Sequence, residues 1–206
     1  MKLKPLIFLS KEVVEHGNLS SEGMLAYVAI RSICQKNIPL HINADFLCSL
    51  FLTDKDKNYI ENRKLKEKMN RGIQELIENN FIFPLYSLNK TSLVINCDEL
   101  YVDTSNGEKF VRVFLSDVKT IMRLTNIQHD KLLSYLVQMS STINSHKHTG
   151  FTGFDTLAKR TNIARQTGYR FNQLLEENNI IYFNYKHTPI KYCLSKEVKD
   201  IKGFSF

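Results

Sequence analysis

The stretch Phe154-Asp155-Thr156-Leu157-Ala158-Lys159-Arg160-Thr161-Asn162-Ile163-Ala164-Arg165-Gln166-Thr167-Gly168-Tyr169-Arg170-Phe171-Asn172-Gln173-Leu174-Leu175-Glu176-Glu177-Asn178-Asn179-Ile180-Ile181 decides how this chain is read. Its apolar spacing predicts a short helix over Phe154–Thr161, a tight connection, and a longer helix over Arg165–Asn178. Asn suits the end of that helix because it tolerates left-handed backbone. Beyond it, Ile180–Tyr185 and Ile190–Leu194 are β-rich runs around the turn-like Lys186-His187-Thr188-Pro189, which predicts a hairpin. Before it, Gln128–Ile143 reads as a helix and Thr149–Thr152 as a short strand.

The same order occurs once more upstream. Ile7-Phe8-Leu9-Ser10 matches Val113-Phe114-Leu115-Ser116, and Glu22-Gly23-Met24-Leu25-Ala26-Tyr27-Val28 matches Asp130-Lys131-Leu132-Leu133-Ser134-Tyr135-Leu136. Ala44-Asp45-Phe46-Leu47-Cys48-Ser49-Leu50 matches Phe154-Asp155-Thr156-Leu157-Ala158-Lys159-Arg160, and Leu76-Ile77-Glu78-Asn79-Asn80-Phe81-Ile82 matches Leu175-Glu176-Glu177-Asn178-Asn179-Ile180-Ile181. Each match is weak alone, but four in one order at nearly constant separation indicate a duplication. The separation shrinks late in the repeat, which places an insertion in the first copy around Thr53–Lys64.

The first copy therefore predicts a helix starting at Ser20-Ser21-Glu22 and stopping at Asn37-Ile38-Pro39. A second follows over about Asn43–Phe51, and a third from Tyr59 or Arg63 to Asn80. Strands over Phe81–Tyr86 and Ser92–Cys97 close the copy. The expected fold class is α+β and mostly helical, with two tandem units of three helices plus a β-hairpin. The units span 1–98 and 113–206, joined by a linker over 99–112. The acidic, Gly-bearing Asp98–Lys109 is the natural connection, and its Leu100-Tyr101-Val102 is a candidate extra strand.

Three helices then a hairpin is the winged-helix pattern, and Phe154–Ile181 resembles the winged helix-turn-helix superfamily. There a Leu-Ala pair precedes a turn, then comes a Ser/Thr-rich recognition helix, then Leu-Glu-Glu and an apolar strand. The segment departs from that pattern at Gly168, where a β-branched core residue is usual, and at Asn172, where an aliphatic is usual; Phe171 is the candidate to fill the gap. The resemblance implies that the third helix of each unit enters the major groove by its N-terminal half.

In the second unit that half carries Arg165, Gln166, Thr167, Tyr169 and Arg170. Arg and Gln suit guanine and adenine edges, while Thr and Tyr suit phosphates. Lys159 and Arg160 flank the backbone. In the first unit Lys55, Lys57, Arg63, Lys64, Lys66, Lys68 and Arg71 face only Asp56, Glu61 and Glu67 as local acids. With Asn58, Tyr59 and Asn62 they suit phosphate and base edges, contributing mostly affinity. The hairpin tips, Asn89-Lys90 and Lys186-His187, with Lys191, are candidates for sugar-phosphate contact. The competing reading of all these residues is a solvated surface.

Other classes find less support. The 206-residue chain is 43% hydrophobic and 24% charged, enough to bury a core, and its 8 Gly and 4 Pro favour long regular elements. A net charge of +7 and a pI near 9.2 suit a polyanionic partner. The apolar runs are far shorter than the ~20 residues of a spanning helix, so no membrane association is expected. Cys34, Cys48, Cys97 and Cys193 are scattered without a C-x-x-C pair and read as idle thiols of a reducing cytoplasm. No phosphate-cradling glycine loop occurs. His146-Lys147-His148 is the one histidine cluster, and it reads as a polar loop. No enzymatic activity, cofactor or metal is expected.

Two such units in succession, each opened by a strand ending in Phe-Leu-Ser, resemble the non-catalytic replication initiators of plasmids and mobile elements. The resemblance implies sequence-specific binding of double-stranded DNA at repeated or palindromic sites, by a cytoplasmic homodimer working with replication machinery. A transcriptional regulator or a conjugation accessory protein would use the same contacts. A winged-helix protein–protein interaction module is the rival from another class.

Overall fold

The computed structural model describes residues 5–52, 59–89, 92–102, 108–144, 147–186 and 190–200, with the backbone alone at 59–62, 89, 99 and 198–200. The first half runs β1 (Leu6–Ser10), α1 (Lys11–His16), α2 (Ser21–Ile33), β2 (Leu40–Ile42), α3 (Ala44–Ser49), α4 (Tyr59–Glu78), β3 (Phe83–Asn89) and β4 (Ser92–Asn96). The second runs β5 (Phe110–Phe114), α5 (Leu115–Arg123), α6 (His129–Ser141), α7 (Phe154–Arg160), α8 (Arg165–Glu177), β6 (Ile181–Asn184) and β7 (Lys191–Leu194). The chain is thus α+β, with small antiparallel sheets.

Each half holds one helix more than the sequence led us to expect. In α1 the Ser10 side chain accepts from the Val13 N–H at 3.4 Å, and Val13 and Val14 turn inward. In α5 Val118, Ile121 and Met122 form the buried stripe. The expected strand over 149–152 is reduced to one bridge, Gly150 with Tyr192. A 3-10 turn over Asp98–Leu100 stands at the start of the candidate strand, and Leu100 and Val102 are buried. Part of the first-copy insertion lengthens a helix: α4 has 20 residues and α8 has 13. Residues 53–58, the rest of it up to α4, lie outside the described residues.

The halves meet through like parts. β1 pairs antiparallel with β5, Leu6 opposite Phe114 and Ser10 opposite Phe110. Phe110–Arg112, the end of the stretch read as linker, therefore belong to a strand. Behind this ribbon lie α2 and α6, buried on nearly every face, as expected of central helices. One apolar core passes through both halves. Tyr27 of α2 accepts the Ser10 N–H at 2.7 Å, and Arg31 donates to the Phe8 carbonyl at 3.0 Å, so α2 seals β1. Gln138 of α6 donates to the Val14 carbonyl at 2.8 Å.

Against α2 lies α4. A Cβ on Gly72 would stand 2.1 Å from the Glu22 carbonyl oxygen, so only glycine permits this helix crossing. Both α4 and α8 end as the sequence implied, with Asn80 (φ 58°) and Asn179 (φ 53°) in the left-handed region. Among the described residues no helix is long and apolar enough to cross a membrane.

Candidate nucleic-acid interface

The α7–α8 pair is built on Leu157 and Ala158, which face the core while Lys159 and Arg160 face water. Thr161 turns its hydroxyl back onto the Leu157 carbonyl at 2.8 Å, Asn162 takes φ 50°, and α7 stops. The Ile163 N–H returns to the Ala158 carbonyl at 3.0 Å, and α8 begins directly with Arg165. Its cap residue, Ala164, offers no side-chain acceptor. The leading N–H groups of α8 therefore keep their positive end for an external acceptor.

Helical spacing then sorts the side chains. Gly168, Phe171, Asn172 and Leu175 face inward; Arg165, Gln166, Tyr169 and Arg170 face out, with Thr167 half-buried. Arg165 reaches Asp155 of α7 at 2.9 Å and the Tyr169 hydroxyl at 3.0 Å, with its guanidinium 5.6 Å from the Tyr169 ring centre. Tyr169 in turn meets Phe154 edge to face at 6.0 Å. Among the described residues Arg170 reaches only the Asn126 carbonyl, at 3.5 Å. Lys186 is exposed, Lys191 is half-buried, and Lys159 and Arg160 have no ion pair among the described residues. Cations gather at the start of α8 while Glu176 and Glu177 occupy its end.

Gly168 and Asn172, the two departures from the superfamily pattern, find their explanation in α6. The Tyr135 ring fills the space beside Gly168, where a Cβ would stand 3.7 Å from its hydroxyl. That hydroxyl donates to Asn172 Oδ1 at 3.0 Å, and the ring packs edge to face on Phe171 at 5.7 Å. Burial pushes the Tyr135 hydroxyl well above the ordinary phenol range, so it stays a neutral donor. The atoms nearest the missing Cβ belong to Tyr135 and Ala158, so Tyr135 takes the place expected of Phe171, which packs against its ring.

The basic run of α4 behaves differently, and the expectation that it faces only local acids is corrected. Lys66 is bound by Asp45 of α3, and Lys68 by the buried Asp130 of α6. Arg71 is held by both oxygens of Glu22 at 2.6 and 2.7 Å. Glu22 and Asp130 lie 49 and 62 positions from their partners, beyond any local reading of charge. Arg63 pairs with Glu67 at 3.1 Å, as sequence proximity suggested. Lys64 is exposed, without an ion pair among the described residues. Lys55, Lys57, Asn58, Lys90, His146 and His187 fall outside the described residues, as do the side chains of Tyr59, Asn62 and Asn89. His148 is described, and its ring lies 3.2 Å from Glu197 and 3.2 Å from Arg112.

Carrying the Leu76–Leu175 match back along the two helices sets Lys66 against Arg165 and Arg71 against Arg170. Lys66–Asp45 and Arg165–Asp155 are then one device built twice, an Asp near the start of the shorter helix clamping a cation of the longer one. Sequence reading missed these two aspartates as positioning residues, although both stand at the same step of the repeat.

The fold has a counterpart among solved structures. The chain is similar in fold to an initiator protein. That structure is the Pi initiator protein in complex with iteron DNA, with a TM-score of 0.51 and 12% identity over 94% of this chain and 99% of that one. No protein-family profile and no curated protein sequence matches the chain.

Proposed function

We propose that this protein is a non-catalytic replication initiator of a plasmid or mobile element. It has two tandem winged-helix units, works in the cytoplasm, and binds double-stranded DNA at repeated sites. The observation that carries the reading is the α7–α8 pair, in which an uncapped helix start presents Arg165, Gln166, Tyr169 and Arg170 beside Lys159 and Arg160. Arg165 is already clamped by Asp155 and Tyr169, which lowers the entropy lost when it meets a base edge. The likeness in fold to an initiator solved with iteron DNA supports the same reading.

On this reading α8 supplies base contacts, and α4 follows the backbone with Arg63 and Lys64. Half-sites about one helical turn, ~34 Å, apart fit two such helices. A homodimer would use β3, an edge strand showing Phe83, Leu85, Tyr86 and Leu88 to solvent, since an apolar edge of this kind invites pairing. The same edge favours a second reading, a winged-helix module that docks on protein and not on DNA.

Selection of bound duplexes from a random pool, followed by titration at several salt concentrations, separates the two. A defined repeated site with a steep salt slope is the expected result. Absent or salt-insensitive binding would overturn the initiator reading and leave the interaction module.

A further inference from the structure

All four cysteines are buried thiols, and two of them, far apart in sequence, meet in space. Cys34 closes α2 and Cys97 follows β4. Their sulfurs stand 2.7 Å apart, although the residues are 63 positions apart in sequence. That separation is shorter than ordinary heavy-atom contact, ~3.5–4 Å, and close to the ~2 Å of an S–S bond. Cys34 Sγ also lies 3.5 Å from the Cys97 carbonyl oxygen. Among the described residues no other two cysteines meet.

The backbone on both sides is tied down. The Cys34 N–H donates to the Ile30 carbonyl at 2.8 Å, and the Leu100 N–H donates to the Cys97 carbonyl at 3.0 Å. Next door, the Asn37 N–H donates to Asp98 at 2.7 Å, and Arg31 lies 5.4 Å from the Tyr101 ring centre. Joining the sulfurs needs them to close by less than ~1 Å.

We propose that Cys34 and Cys97 are a disulfide site, closed by a hydroperoxide and reopened by a low-molecular-weight thiol. One thiol loses its proton, and its sulfur attacks the terminal oxygen of the hydroperoxide. The O–O bond breaks, water or an alcohol leaves, and the sulfur becomes a sulfenic acid. The second sulfur attacks the first, the S–S bond forms, and the hydroxyl leaves as water with the second thiol's proton. Two electrons pass from the sulfur pair to the peroxide bond. Reopening runs by exchange, in which two external thiols become a disulfide as both cysteines regain their protons.

The hydrogen bond with Cys34, then burial, hold the Cys97 thiol well above its ordinary range. Closure is accordingly slow at neutral pH and quickens as pH rises. The ring so formed would enclose β2, α3, α4, β3 and β4, which is to say the whole candidate reading block of the first half. Because a long loop is constrained, the unfolded chain loses the most freedom.

The test uses the full chain, purified under reductant, freed of it, and exposed to hydrogen peroxide. Remaining thiols are then alkylated with iodoacetamide under denaturing conditions, and the peptides are mapped by mass spectrometry. We expect the peptides bearing Cys34 and Cys97 to be joined and lighter by two hydrogens, with Cys48 and Cys193 alkylated. The thermal midpoint should rise by roughly 5–10 °C and return with dithiothreitol. Cys48→Ser should keep this rise and Cys97→Ser should lose it; if Cys97→Ser does not fold, the wild-type map decides. Alkylated Cys34 and Cys97 at a peroxide dose that oxidises methionine would overturn the proposal, as would a bridge through Cys48 or Cys193.

Discussion

Arg71 and Arg170 occupy the same step of α4 and α8 and both are exposed, yet one is held by a two-pronged ion pair and the other has, among the described residues, a single carbonyl contact. The difference begins one helix earlier. Glu22 of α2 and Asp130 of α6 are themselves counterparts in the repeat, and Glu22 takes Arg71 in both its oxygens. Asp130 instead turns to Lys68 of the other half and accepts from Ser21 at 2.7 Å. Each half thus has its acid, but the second half's acid serves the junction, and Arg170 has no acid partner among the described residues. A count of cations along a helix overstates what that helix offers to phosphate whenever distant acids have claimed them.

Breaking the Lys68–Asp130 pair should have the largest effect. Lys68→Ala would strand a carboxylate whose side chain is 3% exposed, while Lys68 itself is 28% exposed. A loss of about 3 kcal/mol in denaturant unfolding is expected, the low end for a broken buried pair. Lys68→Ala with Asp130→Asn should recover much of it. Burial raises the Asp130 pKa, but the hydrogen bonds from Lys68 and Ser21 outweigh it and hold the group below its ordinary value. Its folded pKa being depressed, its stabilising contribution is complete above the ordinary carboxylate value of ~4. That contribution fades as pH falls through the lowered value. The stability gap between wild type and Asp130→Asn should close over that acidic window, and a gap unchanged down to pH ~2 would refute the assignment.

Next in size is the double change Arg165→Ala with Arg170→Ala. Affinity for a selected duplex should drop by roughly tenfold or more, with a much smaller drop for random duplex. Equal losses on both would show that α8 touches only backbone. Lys159→Ala should weaken all duplexes alike and lower the salt slope by about one. The smallest effect is expected from Arg71→Ala, whose guanidinium gives two of its N–H groups to the two oxygens of Glu22. A loss of duplex affinity matching that of Arg170→Ala would erase the contrast between the halves.

The order of elements was legible because the duplication marks it, and because apolar spacing fixes which face of each helix turns inward. Asn79-Asn80 and Asn178-Asn179 announce two helix ends by their tolerance of left-handed backbone. The extra helices α1 and α5 were hidden by their short length, although Ser10 as a cap and the Val118, Ile121, Met122 spacing were available signals. The α8 candidates were named from the resemblance, and of them Arg165, Gln166, Tyr169 and Arg170 face out while Thr167 is half-buried. The pairing of α4 cations with Asp45, Glu22 and Asp130 could not be read, because each partner arrives through tertiary packing. Tyr135 illustrates the same limit: Gly168 and Asn172 look like defects until a ring from another helix occupies the space between them.

In the ribbon of β1 and β5, Ile7 faces Val113, which is its own counterpart in the repeat. The two central helices, counterparts too, also lie side by side. Half a turn about a line through that ribbon therefore roughly exchanges one half with the other, as in a contact between two identical subunits. Here the subunits share a peptide chain, so dilution cannot part them. Any true second molecule must find a different place to bind.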